Sequence, residues 1–214
     1  MSRVTLIDPQ DATGEAKSLL SEITAAFGAT PAMFKAVANS SAALKMMWAG
    51  FGALGGGRLG AKLGEQIAVL VADRNGCEYC LAAHTALGRK AGVSAEHMSH
   101  AQAGHSADPR TDAALGFAAK LVENRAHVTD SDVETLRKAG FDDEEIVELV
   151  AHVALNLFTN YLNVALSVPI DFPKVALRKP TDPKRAAGRR PAAPLRCPRE
   201  ELPVLFHPRP EGKR

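Results

Sequence analysis

Between residues 11 and 170 the chain is a succession of segments with apolar residues every three or four positions, each opened by a helix cap and closed by a breaker. That punctuation predicts helices and leaves no place for a sheet. Asp11 or Thr13 can open the first segment, in which Leu19, Leu20, Ile23 and Phe27 recur before Gly28 stops it. Pro31 suits the first turn of a short second helix reaching Val37. Ser40 or Ser41 caps a third, with Leu44, Met47, Trp48 and Phe51 as its stripe, and Gly55-Gly56-Gly57 breaks it. A fourth covers 59–74, with Leu63, Ile67, Leu70 and Val71 inward, and Asn75-Gly76 interrupts it. A fifth covers 77–90, ahead of Gly92, and Ser94 caps a sixth that ends near Gly104. Asp108-Pro109 opens a seventh, Thr129 an eighth closed by Gly140, and Asp142 with Glu145 makes a capping-box start for the last. That last helix carries Ile146, Leu149, Val150, Val153, Leu157 and Tyr161 and ends before Pro169. The run 67–72 could pass for a buried strand, but its flanks favour helix, and no hairpin dipeptide joins alternating strands. The fold expected is all-α, with about eight or nine helices.

Charge divides the chain in two. Residues 1–174 hold 15 Lys and Arg against 20 Asp and Glu, whereas 175–214 hold 11 against 4, together with eight of the 13 prolines. Residues 1–174 are therefore read as the helical domain. So much Pro and Arg sustains neither helix nor central strand, and 175–214 is expected to be a disordered basic tail. Such a tail could seek nucleic acid, a membrane surface or an acidic partner. With Phe206 its single aromatic residue, it lacks the stacking pattern of a nucleic-acid arm and is read as a solvated extension. No stretch looks long and apolar enough to span a membrane: the most apolar, 152–170, is broken by Asn156, Thr159, Asn160 and Asn163. No apolar signal region follows Met1, so a cytoplasmic location is expected, where structural disulfides are rare.

Of three cysteines, Cys197 lies in the tail and is read as a free thiol. The other two form a C-x-x-C, Cys77 and Cys80, with His84 four residues beyond. On one helix these three project within about 60° of each other. His84 stands one turn from Cys80, within reach as its general base, and about 10 Å along the axis from Cys77. Cys77 has instead the helix N-terminus, whose unpaired N–H groups stabilise a thiolate. Glu65, on the preceding helix, can join them if Asn75-Gly76 turns the chain, and a carboxylate beside His84 would pass protons onward. An attacking thiolate, a resolving thiol and a proton route are what a dithiol needs to cycle through a disulfide. Two other readings stand beside this one. The pair could be an inert dithiol of the core in a protein whose role is binding. Alternatively Cys77, Cys80 and His84, with Glu65 or His105, could bind zinc, although no second C-x-x-C or H-x₃-H supplies the usual second ligand pair.

The pattern Glu-x₁₁-Cys-x₂-Cys-x₃-His, filled by Glu65, Cys77, Cys80 and His84, resembles the signature of the AhpD-like alkylhydroperoxidases of the carboxymuconolactone decarboxylase superfamily. The likeness extends over most of 1–174, including Pro31-Ala32-Met33-Phe34 and the Asn-rich last helix ending in Asp171-Phe172-Pro173. It implies an all-helical fold and a thiol-dependent peroxidase needing no cofactor or resident metal. It also implies that Cys80 is attacked by the hydroperoxide, that Cys77 resolves it, and that Glu65 and His84 deprotonate them. The partners it implies are a hydroperoxide, a thiol or dithiol electron donor such as a lipoyl-bearing protein or a peroxiredoxin, and further copies of the chain in a trimer or hexamer. Family members that decarboxylate muconolactones generally lack the cysteine pair, which argues against that activity.

Three further features complete the reading. His152, Asn156, Asn160 and Asn163 share one side of the last helix and are read as a hydrogen-bonded stripe that fixes packing, the alternative being a polar wall of the active pocket or a subunit contact. Tyr79 points away from the cysteine face and is expected to pack or gate. Trp48 with Phe51 is expected to be core or interface.

Overall fold

A computed structural model describes residues 1–178; the expected tail beyond them and Cys197 lie outside the described residues. Every breaker read from the sequence ends or precedes a helix. Nine helices run among the described residues: α1 Gly14–Phe27, α2 Ala32–Val37, α3 Ser41–Gly55, α4 Gly60–Asn75, α5 Glu78–Lys90, α6 Ala95–Ala103, α7 Pro109–Glu123, α8 Asp130–Lys138 and α9 Asp143–Leu166. The caps are chemical as well as positional. Ser40, Ser94 and Asp108 accept from the backbone N–H groups of Ala43, His97 and Thr111, and reciprocal capping boxes open α8 at Thr129/Asp132 and α9 at Asp142/Glu145.

At the centre lies α4, with α5, α6, α7 and α9 packed around it. Residues 66–72 of α4 are all buried. A helix enclosed on every side has no solvent face to mark with polar residues, which is why this run looks strand-like in sequence. Gly88 on α5 allows close packing here: a Cβ at that position would stand 2.6 Å from the Met98 side chain and 3.3 Å from Glu65 Cβ.

The inward face of α9 differs from the expectation. Val150 and Tyr161 point to solvent, as do Val147 and Val164. The buried residues are Glu145 in the first turn, then Leu149 and Val153 with Asn156, Thr159, Asn160 and Asn163, so the polar stripe is part of the buried face. Length and composition would let α9 cross a bilayer, with a mean hydropathy of 1.3, where no such stretch was expected. In this fold its asparagine face lies against protein: Asn160 accepts from Asn75 of α4 at 3.0 Å, and Asn163 reaches α5. The packed body also runs past residue 174. Val175 and Leu177 lie against the core, Gln102 Nε2 donates to the Ala176 carbonyl at 2.9 Å, and the Arg178 N–H donates to Asp73 at 2.9 Å.

Candidate active site

The reversal between α4 and α5 builds the site. Gly76 ends α4 in the left-handed region (φ 68°), a conformation that favours glycine, and its N–H caps the last carbonyls of α4. Cys77, expected as the first residue of the fifth helix, is its N-cap in extended backbone (φ −89°, ψ 92°). Outside the helix its sulfur can fold back, and Sγ accepts from the Cys80 backbone N–H at 3.2 Å. Cys77 and Cys80 are joined as a disulfide with Cα atoms 5.4 Å apart, and the two residues are 1% and 2% exposed.

The same reversal lays Glu65 of α4 beside α5. His84 Nδ1 and Glu65 Oε2 are 2.8 Å apart, and both side chains are largely shielded from solvent. With the carboxylate accepting from Nδ1–H, Nε2 is left as the ring's proton acceptor. All four expected residues are thus brought to the facing surfaces of α4 and α5. The expected contact between His84 and the Cys80 sulfur is not among the hydrogen bonds of the disulfide form. Cys80 Sγ instead accepts from Asn163 Nδ2 at 3.2 Å, and the same amide lies 3.1 Å from Met33 Sδ.

A cavity of about 290 Å³ opens onto these groups. Cys80, His84 and Glu65 line it, and Cys77 does not. Apart from Thr159, the rest of its wall is apolar or aromatic, with Pro31, Met33, Ala83 and Leu87, and six of the chain's 11 aromatic residues: Phe27, Phe34, Trp48, Phe51, Tyr79 and Phe172. Trp48 and Phe51 therefore face the cavity while packing edge-on against Phe34, in place of a purely core or interface role. Tyr79 is buried, its hydroxyl accepts from the Met33 N–H at 3.2 Å, and burial pushes its phenol well above the usual range. The roof is latched from the far end of the body: Asp171 Oδ2 accepts from the N–H of Ala32, the first residue of α2, at 2.6 Å. Next to Glu65, Gly64 packs against His152 so closely that a Cβ would stand 3.1 Å from the ring. Burial holds the His152 imidazole below its usual pKa, against the opposing pull of Glu148 and Glu65.

Among the described residues no three or more His, Cys, Asp or Glu side chains converge to hold a metal ion, and His105 stands beside His100 instead. Asn163 was not assigned as a neighbour of the sulfur, although the spacing of 152, 156, 160 and 163 was a visible signal for it; Tyr79, expected to pack or gate, lines the same cavity.

Residues 40–124 match the carboxymuconolactone decarboxylase family. No curated protein matches the chain. Among solved structures, an uncharacterized peroxidase-related protein from Silicibacter sp. TM1040 is 27% identical, covering 78% of this chain and 91% of its own, with a TM-score of 0.70. An uncharacterized peroxidase-related protein with an alkylhydroperoxidase AhpD core, from Ralstonia eutropha JMP134, is 24% identical over 79% of this chain and 92% of its own, with a TM-score of 0.71. The debrominase Bmp8 has the same fold at 20% identity, covering 78% and 91%, with a TM-score of 0.68. Residues 40–124 therefore carry the likeness to the carboxymuconolactone decarboxylase family, within a fold like that of the AhpD-core structure.

Proposed function

We propose that the protein is a thiol-dependent peroxidase that reduces hydroperoxides through a Cys77/Cys80 dithiol–disulfide cycle, with Glu65 and His84 as its proton relay. What carries this reading is the lining of one cavity: it exposes Cys80, His84 and Glu65 together and excludes Cys77. A substrate entering there meets one sulfur and one base. In the reduced protein His84 Nε2 takes the Cys80 thiol proton while Glu65 holds Nδ1–H. The thiolate attacks the terminal oxygen of the hydroperoxide; the S–O bond forms as the O–O bond breaks. The departing alkoxide takes the proton back from His84 and leaves as the alcohol. Cys77 then attacks the Cys80 sulfenic acid, closing the disulfide as hydroxide leaves and takes the Cys77 proton to become water. A thiol or dithiol donor, of the lipoyl-bearing or peroxiredoxin kind, reduces the disulfide for the next turn.

The cavity also supports a substrate class. Its volume lies at the lower edge of small-molecule sites, about 300–1,000 Å³, and its aromatic wall suits a hydroperoxide with a bulky apolar skeleton. The exposed Val147, Val150, Tyr161 and Val164 on α9 support self-association of the chain, the arrangement expected of a trimer or hexamer.

The experiment is a sulfenic-acid trap on single-cysteine variants. Cys77→Ser should react once with a hydroperoxide and stop as a trappable sulfenic acid mapped to Cys80. Cys80→Ser should be slower by about 10²-fold or more, the scale of losing the activated nucleophile with its base. Trapping on Cys77 at the wild-type rate would reverse the roles of the two sulfurs. Trapping on neither would replace the peroxidase by a dithiol that only exchanges disulfides.

A further inference from the structure

We infer that Asn163 is a catalytic residue of this site: its side-chain amide donates to Cys80 Sγ and holds that sulfur as the thiolate in the reduced protein. The inference rests on the reading of Cys80 as the attacking sulfur. Three observations carry it.

The first is position. Asn163 comes from α9, 83 residues away in sequence, and its Nδ2 lies 3.2 Å from Cys80 Sγ in the buried interior. The second is the direction of the amide. Its two neighbours on that side are Cys80 Sγ and Met33 Sδ, at 3.2 and 3.1 Å. A thioether and a disulfide sulfur can only accept, so the NH₂ group faces both, and Met33 Sδ remains an acceptor when the disulfide is reduced. The third is burial. Asn163 is 3% exposed and its Oδ1 has no hydrogen-bond partner among the described residues. A buried amide with one end unsatisfied is destabilising; a residue present for packing alone has no reason to keep it.

Consider what Cys80 needs. It is 2% exposed, and burial in apolar surroundings opposes ionisation of a thiol. The backbone N–H of Cys80 itself is directed at Cys77 Sγ, so it serves the other sulfur. Glu65 occupies one ring nitrogen of His84, and the other, once protonated, must hand its proton to the leaving alkoxide, so it is not a lasting donor to the sulfur. Asn163 fills that place. It does not titrate in the working range, its donor is fixed before reaction, and its interaction strengthens as the sulfur gains charge, because a hydrogen bond to an ion is roughly twice as strong as a neutral one.

The test reads ionisation of Cys80 separately from peroxide chemistry. In full-length Cys77→Ser protein, alkylation of Cys80 by iodoacetamide is followed against pH, with peptide mapping to separate it from Cys197. Asn163→Leu, similar in volume and without the donor, should move the pH midpoint of alkylation up by about one unit and lower the rate near neutral pH about tenfold, with full recovery above the new midpoint. Asn163→Asp, which sets an acceptor against the sulfur, should move it further. An unchanged midpoint in folded variants would overturn the proposal. A second readout needs no variant at position 163: in Cys77→Ser protein the Asn163 side-chain amide resonance should shift with the same midpoint as alkylation, and a resonance that ignores it would equally overturn the proposal. The peroxidase reading has its own control. If wild-type reduced protein fails to consume any hydroperoxide while the midpoint still moves, Asn163 keeps its role and only the proposed reaction falls.

Discussion

A relay makes a quantitative demand that a mere cluster of polar residues does not: its members must fail together. The Glu65 carboxylate lies 2.8 Å from His84 Nδ1, with side-chain exposures of 21% and 13%. Glu65→Gln keeps an oxygen to accept from Nδ1–H and removes the charge that steadies the imidazolium. At about 4 Å that charge is worth about 1 kcal/mol in water and about 4 kcal/mol at an effective dielectric of 20. A partly exposed pair falls toward the lower figure, so we expect a tenfold loss, about 1.4 kcal/mol. His84→Ala removes the base and should lower the rate by about 10²-fold, or about 2.7 kcal/mol. If Glu65 acts only through His84, the double variant should be no slower than His84→Ala alone, about 10²-fold down. Independent roles would multiply to about 10³-fold. The assay is a single turnover of pre-reduced protein, mixed rapidly with hydroperoxide, quenched in acid and scored for free thiols. The His84→Ala deficit should also shrink at high pH, where hydroxide replaces the base. A multiplicative double variant, or a deficit that ignores pH, would refute the relay.

Two further outcomes follow from the same geometry. The aromatic wall should favour an aryl or branched alkyl hydroperoxide over hydrogen peroxide by about tenfold in kcat/KM, the worth of burying a few apolar carbons, and Trp48→Ala should erase most of that preference; equal rates on both substrates would show that the cavity does not bind the carbon skeleton. Burial, with His84 adding to it against Glu148 and Glu65, holds the folded-state pKa of His152 below its unfolded value of about 6.5, so the unfolded chain takes up the proton first as pH falls; urea midpoints should therefore decline below about pH 6.5, level off once the folded-state pKa is passed, and lose that slope in His152→Gln.

The helices were legible because their ends are written locally. Thr13, Ser40, Ser94, Asp108 and Asp142 each stand at an N-cap, and Gly28, Gly76 and Gly104 each sit in the left-handed region after a helix. The pairing of Glu65 with His84 was legible too, since it follows from one turn of known type between two helices of known length. What the residues could not reveal was which face of α9 is inward. Of the six apolar residues read on it, Ile146, Leu149, Val153 and Leu157 pack inward, whereas Val150 and Tyr161 are exposed. A hydrophobic stripe marks whatever surface will be covered, and it does not say whether this chain or another covers it. The cavity was illegible for a related reason. Its wall comes from α1, α2, α3, α4, α5, α9 and the segment after α9, and no local pattern ties Phe27 and Phe172 to Cys80.

The polar side of α9 also bears on how the site was assembled. Four atoms along it have no partner among the described residues: His152 Nε2, Asn156 Oδ1, Asn160 Nδ2 and Asn163 Oδ1. An apolar side chain at any of these positions would pack against α4 or α5 without that penalty, and buried amides of this kind are rare unless something holds them in place. The bonds that are made indicate what does. Asn156 Nδ2 turns back to the His152 carbonyl at 2.9 Å, Asn160 Oδ1 takes the amide of Asn75 at the end of α4, and Asn163 Nδ2 reaches the sulfur. Asn75 immediately precedes the turn at Gly76 that places Cys77 and Cys80. One face of α9 therefore holds both the turn that positions the cysteines and the sulfur that lines the cavity. The stripe that reads in sequence as a packing device does fix packing, and what it fixes is the geometry around Cys80.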